Sequence, residues 1–259
     1  MNQKEMLKKI IGIARQAGEA MLEYYEDDIE VTKKDDNSPL TKADLASHHI
    51  IVDALKKLDP DTPVISEESG IPPYEKRKDW SKFWIVDPLD GTKEFIKKNG
   101  EFTVNIALID HGKPVLGVVY IPVKKTMYYA TREGGAYKQV EEESPERIYS
   151  EAGDGSGSLV AVQSRSHGSD TLVTELKEKG LSVRKTIPAG SSLKFCLVAE
   201  GTADIYPRMG PTMEWDVAAG DCVYRYSARE GAHPSPLTYN KPDLKNSGFL
   251  IGLKNNVEF

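Results

Sequence analysis

The apolar positions of residues 3–25 recur at three- and four-residue steps: Met6, Ile10, Ile13, Ala14, Ala17, Met21 and Tyr24. That spacing predicts an amphipathic helix with its stripe on a core. A charged stretch over 32–36 and the turn signal Asn37-Ser38-Pro39 separate it from a second helix, which begins at Thr41 and is expected to turn Leu45, Ile50, Ala54 and Leu58 inward. Thr41 and Asp44 make an N-terminal capping pattern there. The period then shortens. Pro63 to Ser66 is a short apolar strand ending in Glu67-Glu68, and Phe83 to Val86 is a buried strand running into Asp87-Pro88-Leu89-Asp90-Gly91-Thr92. Pro88 disfavours helical dihedrals at Asp87, so extended backbone should reach the first acid, and Gly91 permits a sharp reversal before a short helix over 92–98.

Phe102 to Asp110 and Pro114 to Val123 alternate around His111-Gly112, the pattern of an antiparallel hairpin. Met127 to Ala130 and Gly135 to Gln139 continue the meander. After that the rhythm changes to strand and helix by turns. Strands are expected over 159–165, 181–187 and 203–207, and helices over 169–179 and 191–200. Glu214-Trp215-Asp216 opens a last helix toward Arg229, and closing strands are expected near Leu237 and over 249–253. Such alternation predicts an α/β arrangement. Between the two regimes lies Glu141 to Ser158, an acidic run with Gly-Asp-Gly-Ser-Gly-Ser that lacks the Gly-Lys-Ser/Thr ending of a phosphate loop. It reads as a flexible seam between an α+β half, 1–150, and an α/β half, 151–259.

A chain of 259 residues lies near the size at which one core divides in two. The net charge of -6 argues against a nucleic-acid polymer as partner. No apolar run approaches the roughly 18 residues that span a bilayer, and charges interrupt the apolar positions of the N-terminus. A cytoplasmic protein without a membrane anchor is expected. Cys196 and Cys222 sit in separate apolar segments, which fits small buried thiols in a reducing compartment.

The candidate chemistry lies at the ends of the apolar elements. Glu67, Asp87, Asp90 and Asp216 each have an ordinary reading, as a solvated loop acid or a first-turn helix acid. Brought together, they stay ionised only if a cation compensates them. A metal ion is the simplest such cation. The first amides of the helix after Asp90, at Gly91, Thr92 and Lys93, would form an adjoining anion site. His48 and His49 are neighbours on a helix that face different directions, so they make no ligand pair.

Glu67-Glu68, the Asp87 to Thr92 motif and Trp215-Asp216-Val217-Ala218-Ala219-Gly220, in that order, resemble the lithium-sensitive, magnesium-dependent phosphatase family that includes inositol monophosphatases and fructose bisphosphatases. Within it, DPLDGTKEFIKKNGEFTVNIALIDHGKPVLGVVY, GSSLKFCLVAEG and YPRMGPTMEWD look like the bacterial 3'(2'),5'-bisphosphate nucleotidase branch. The likeness covers nearly the whole chain. Its departures, the 141–158 seam and Asp221-Cys222, touch no motif acid.

The resemblance implies a layered αβαβα sandwich, the sugar-phosphatase-like fold, with two or three Mg²⁺ ions. Glu67, Asp87 and the Leu89 carbonyl would hold one ion, and Asp87, Asp90 and Asp216 another. Thr92, linked to Asp44, would orient an attacking water, while Gly91, Thr92 and Lys93 hold phosphoryl oxygens. Ser191, Ser192, Lys194, Glu200 and Arg208 would contact a small-molecule nucleotide, with Glu67, Asp90 and Asp216 close to it. Implied too are release of the 3'-phosphate of adenosine 3',5'-bisphosphate, action on 3'-phosphoadenylyl sulfate, inhibition by Li⁺, and loose association with the inner face of the cytoplasmic membrane. An inositol or other sugar monophosphatase and a non-catalytic nucleotide sensor are the alternatives. Thr92 and Asp44, needed for water but not for binding, argue against the sensor. The sequence leaves oligomeric state open.

Overall fold

The apolar stripe of α1 (Gln3–Glu23) is the one its spacing predicts, with Ile10, Ile13, Ala14, Ala17 and Met21 buried behind an Asn2–Glu5 capping box. Tyr24 caps the helix and is exposed, and Tyr25 packs on Phe95 and Phe102 in its place. The computed structural model describes residues 2–26, 31–33, 39–150, 157–166, 168, 171–228 and 234–252. Most of the expected 32–36 loop, Asn37-Ser38, much of the Gly/Ser run, Ser169, Arg229 and Leu253 lie outside the described residues.

β1 (Val31–Lys33) and β2 (Pro39–Thr41) form a small antiparallel pair leading into α2 (Lys42–Leu58). This helix is rotated from the expected orientation. Leu45 is exposed and Ile50, Ala54 and Leu58 lie at the core margin, while Asp44, Ser47 and His48 join Ala43, Ile51, Val52 and Leu55 inside. An apolar-stripe reading misses a face that is partly polar because each polar group is bonded. Ser47 donates to the Pro88 carbonyl at 2.7 Å, and His48 Nδ1 lies 2.8 Å from Ser66 Oγ.

The centre is a seven-stranded sheet. Its chain order is β3 (Val64–Ser66), α3 (Tyr74–Arg77), β4 (Lys82–Asp90), α4 (Thr92–Ile96), β5 (Thr103–Asp110), β6 (Lys113–Ile121), β7 (Thr126–Thr131), β8 (Gly135–Val140) and β9 (Glu146–Arg147). The strands lie in sequence order, with β3–β4 parallel and the rest antiparallel. His111 and Gly112 take φ of 48° and 71°, the left-handed pair that a two-residue hairpin with the right twist requires. β9 pairs with β8 and Ser150 bridges Ala228, so the first part of the seam is ordered.

Strand alternation sorts the side chains into two cores. Trp84, Val86, Val104, Ile106, Leu116 and Val118 meet α1 and α2, while Phe83, Ile85, Ala107, Ile109, Val119 and Tyr128 face the opposite side.

The remaining elements build that opposite side. They are β10 (Leu159–Ser164), α5 (Leu172–Glu178), β11 (Val183–Ala189), α6 (Leu193–Ala199), β12 (Tyr206–Arg208), β13 (Thr212–Met213), α7 (Glu214–Ser227), β14 (Lys245–Asn246) and β15 (Phe249–Ile251). α7 lies on β4 to β8 with α6 against it. The β10–β11 and β12–β15 pairs, joined by an Ala161–Ile205 bridge, form the next layer. Val160 and Val162 point to α6 and α7, whereas Leu159 and Ala161 point outward to Leu172 and Leu176 of α5. Five layers result, α-β-α-β-α. Leu237 is buried in irregular backbone rather than a strand, its carbonyl taken by Arg225 at 2.6 Å.

Candidate active site

Residues three apart on a regular strand point to opposite faces. Asp87 and Asp90 share a face because the β4–β5 register breaks between them: Asp87 pairs with Asn105 and Asp90 with Thr103, so the motif carries one residue more than its partner strand. The bulge reverses the parity. Its extra length is held by the Leu89 amide, which donates to Asp87 Oδ1 at 3.1 Å, and by Ser47 on the Pro88 carbonyl. Gly91 follows at φ 92°, where a Cβ would lie 3.3 Å from both the Glu101 carbonyl and Ser191 Cβ. That left-handed turn starts α4, which stops at Ile96, short of the expected 98.

Glu67 arrives from the end of β3, parallel to β4. Asp216 arrives from the first turn of α7, where its Oδ2 also accepts from the Met213 amide at 2.8 Å. Carboxylate oxygens of Glu67, Asp87 and Asp216 lie within 4.8 Å of one another. Burial, then Glu67, Asp90 and Asp216, push the Asp87 carboxyl well up. Asp216 is pushed up to about 8, by enclosure first and by Asp90 next. Asp90 is pushed up to about 6 by burial, with Lys194 and the Asn105 amide opposing. Acids so placed resist ionisation together, and a hard divalent cation removes that penalty. The donor set fits one.

These groups line a cavity of about 290 Å³. Glu67, Asp87, Leu89, Asp90, Gly91, Thr92, Lys93, Ser191, Lys194, Arg208 and Asp216 all reach it. Three other residues expected at the site do not line it. Asp44 stands behind Thr92, taking the Thr92 hydroxyl on Oδ1 at 3.3 Å and the Thr41 amide and hydroxyl on Oδ2 at 2.8 and 2.6 Å. It is thus cap and buttress at once. Ser192 is buried, donating to the Asp216 carbonyl at 2.8 Å. Glu200 lies at the far end of α6, where it takes Tyr128 and Lys138 at 2.8 Å each.

Two cations share the lining with the acids. Lys194 is buried, its ammonium 5.5 Å over the Tyr206 ring, and burial lowers its pKa to about 8. Arg208 is half-buried and held by the carbonyls of Gly210 and Pro211 at 3.2 and 3.1 Å. One cavity therefore offers both a cluster of acids and a pair of cations.

The profile of the inositol monophosphatase family matches residues 2–226. The chain belongs to the inositol monophosphatase family. The 3'(2'),5'-bisphosphate nucleotidase CysQ of Escherichia coli (strain K12) is 49% identical to it over 256 residues, 96% of this chain and 100% of that protein. The protein of the same name from Salmonella typhimurium is 51% identical over 230 residues, 88% of this chain and 89% of its own. Among solved structures, CysQ from Bacteroides thetaiotaomicron aligns with a TM-score of 0.80 at 43% identity, over 98% of this chain and 99% of that one.

Members of the inositol monophosphatase family are metal-dependent, and the acid cluster gives this member a place for a cation. Seven residues of the lining carry no role in the sequence reading: Pro39, Glu94, Ser164, Phe195, Tyr206, Thr212 and Val217. Behind the wall, Asn105 escapes it as well. The signal for Asn105 lay in the alternation of β5, where a polar residue occupies a position that Ala107 and Ile109 continue as core.

Proposed function

We propose that the chain is a Mg²⁺-dependent phosphatase that removes the 3'-phosphate of adenosine 3',5'-bisphosphate, yielding AMP and phosphate, with 3'-phosphoadenylyl sulfate as a second substrate. The observation that carries this reading is the pairing of the acid cluster with Lys194 and Arg208 in one cavity. A bisphosphate needs two anion sites, one over the cations that the acids hold and one at a fixed cationic wall. A monophosphate of a neutral polyol needs only the first. The names of the relatives at 49% and 51% identity support the same choice.

Glu67, Asp87, Asp90, Asp216 and the Leu89 carbonyl would hold two or three Mg²⁺ ions, which neutralise phosphoryl charge and acidify water. With its hydrogen committed to Asp44, the Thr92 oxygen faces the cavity as an acceptor and aligns the attacking water. The amides of Gly91, Thr92 and Lys93, at the start of the short helix, would receive the phosphoryl oxygens. Ser191, Lys194 and Arg208 would receive the sugar and the second phosphate.

This activity returns the nucleotide by-product of sulfate activation to AMP. A reducing cytoplasm suits the two free, buried cysteines, and no helix among the described residues is long and apolar enough to cross a membrane.

Phosphate release from adenosine 3',5'-bisphosphate, 3'-phosphoadenylyl sulfate and inositol monophosphate, with and without Mg²⁺ and Li⁺, tests the reading. Mg²⁺-dependent, Li⁺-sensitive turnover with the highest kcat/KM on the bisphosphate is expected. Faster hydrolysis of inositol monophosphate overturns the substrate choice. Tight nucleotide binding without phosphate release points to a sensor instead.

A further inference from the structure

β5 carries two polar side chains, Thr103 and Asn105, on the face that Ala107 and Ile109 continue into the core. Both are fully or almost fully buried. A buried amide left unbonded is costly, so the partners of Asn105 reveal what its burial serves. Its Nδ2 donates to Asp90 Oδ2 at 3.2 Å and to Ser192 Oγ at 2.9 Å. Its Oδ1 accepts the Thr103 hydroxyl at 3.0 Å, and Thr103 Oγ1 lies 3.1 Å from Ser191 Oγ. Ser192 then donates to the backbone carbonyl of Asp216 at 2.8 Å. Both amide hydrogens are used on acceptors, and a flipped amide would turn its oxygen toward the Asp90 carboxylate, so the network fixes the orientation.

The chain of bonds joins two acids that come from distant parts of the fold. Asp90 ends β4, and Asp216 rides on the first turn of α7 across the core. We infer that Asn105 is a positioning residue for the cation site: it locks the Asp90 carboxylate and, through Ser192, the backbone of Asp216 into one spacing. Groups that orient metal ligands typically change metal affinity or activity by roughly 10–100-fold when removed. This inference rests on the reading of Glu67, Asp87, Asp90 and Asp216 as cation ligands.

The test is Mn²⁺ titration followed by electron paramagnetic resonance on wild type, Asn105→Ala, Ser192→Ala and a control, Ile106→Val, with melting temperatures and phosphate release alongside. Ile106 is the next residue on β5 and faces the opposite core. Asn105→Ala is expected to weaken Mn²⁺ binding by roughly 10–100-fold, and Ser192→Ala in the same direction. Ile106→Val should lower melting temperature with affinity unchanged. Raising the metal concentration should recover part of the lost phosphate release in Asn105→Ala. If Asn105→Ala does not fold, Ser192→Ala decides, since it cuts the same link and leaves β5 intact. Wild-type affinity in the folded variants overturns the role of Asn105 alone. Absence of Mn²⁺ binding by wild type overturns the cation reading and this inference with it.

Discussion

Asp44 and Thr92 are 48 residues apart in the chain, yet Thr92 Oγ1 lies 3.3 Å from Asp44 Oδ1. The second carboxylate oxygen of Asp44 is taken by Thr41, so each oxygen has its own task. Asp44→Asn replaces one acceptor by a donor and cannot serve both. We expect kcat to fall about 10²–10⁴-fold, the range for a lost proton-handling group, with a stability loss of about 1 kcal/mol from the weakened cap. Thr92→Ser should keep most of the rate and Thr92→Val should not. Phosphate-release kinetics and thermal melting check all three, and a fully active Asp44→Asn would remove the pair from the mechanism.

Asp90→Asn should lower turnover by several orders of magnitude. It removes a carboxylate from the cavity and keeps a side chain of the same size between Asn105 and the acids. The fold should survive, because a neutral group at this site no longer repels its neighbours. Melting in EDTA no lower than that of wild type, together with lost activity, is the expected pair of results. Near-normal turnover would take Asp90 out of the site.

The metal-free protein should lose stability as pH rises. Asp90 and Asp216 lie at about 6 and about 8 against an ordinary value of 3.8, and Asp87 is also raised. A carboxyl raised on folding stabilises fully below its unfolded value and loses that contribution as pH climbs through the folded one. Lys194, lowered from 10.5 to about 8, has the opposite sign, but its window lies above that of the acids. Melting temperatures in EDTA from about pH 5 to pH 8 should therefore fall, and saturating Mg²⁺ should flatten the slope. A rise over that window in EDTA would contradict the acid cluster.

Gly117 on β6 lets α7 approach the sheet. A Cβ there would meet Cys222 Cβ at 2.5 Å and the Ala219 carbonyl at 2.8 Å, both on α7. Gly117→Ala should cost about 1–3 kcal/mol as an overpacked contact. Because Asp216 rides on the same helix, phosphate release should fall more than stability alone explains. Assay well below the melting temperature separates the two effects. Full activity would show that α7 can shift without moving its acid.

Much of this architecture was legible in the chain. Period-two runs placed the hairpin and meander, the three- and four-residue steps placed α1, and Asp87 to Thr92 announced an acid pair between a strand and a helix. Local chemistry decides those features: side-chain alternation, the dihedral limits of Pro88, and the freedom of Gly91. Where the chain misled, a distant partner was the cause. α2 turns Asp44, Ser47 and His48 inward because Thr92, Pro88 and Ser66 receive them. Glu200 left the expected substrate wall for Tyr128 and Lys138, which a linear motif does not contain.

The sequence by itself determined which residues carry charge at the ends of apolar elements. Only the tertiary structure decided that they meet. An extra residue opposite β5 turns Asp87 and Asp90 to one face, β3 beside β4 brings Glu67, and α7, seated on Gly117, brings Asp216. The physical reason is that strand parity and helix seating depend on the partner strand and on the packing surface. Neither is written in the segment that holds the acid.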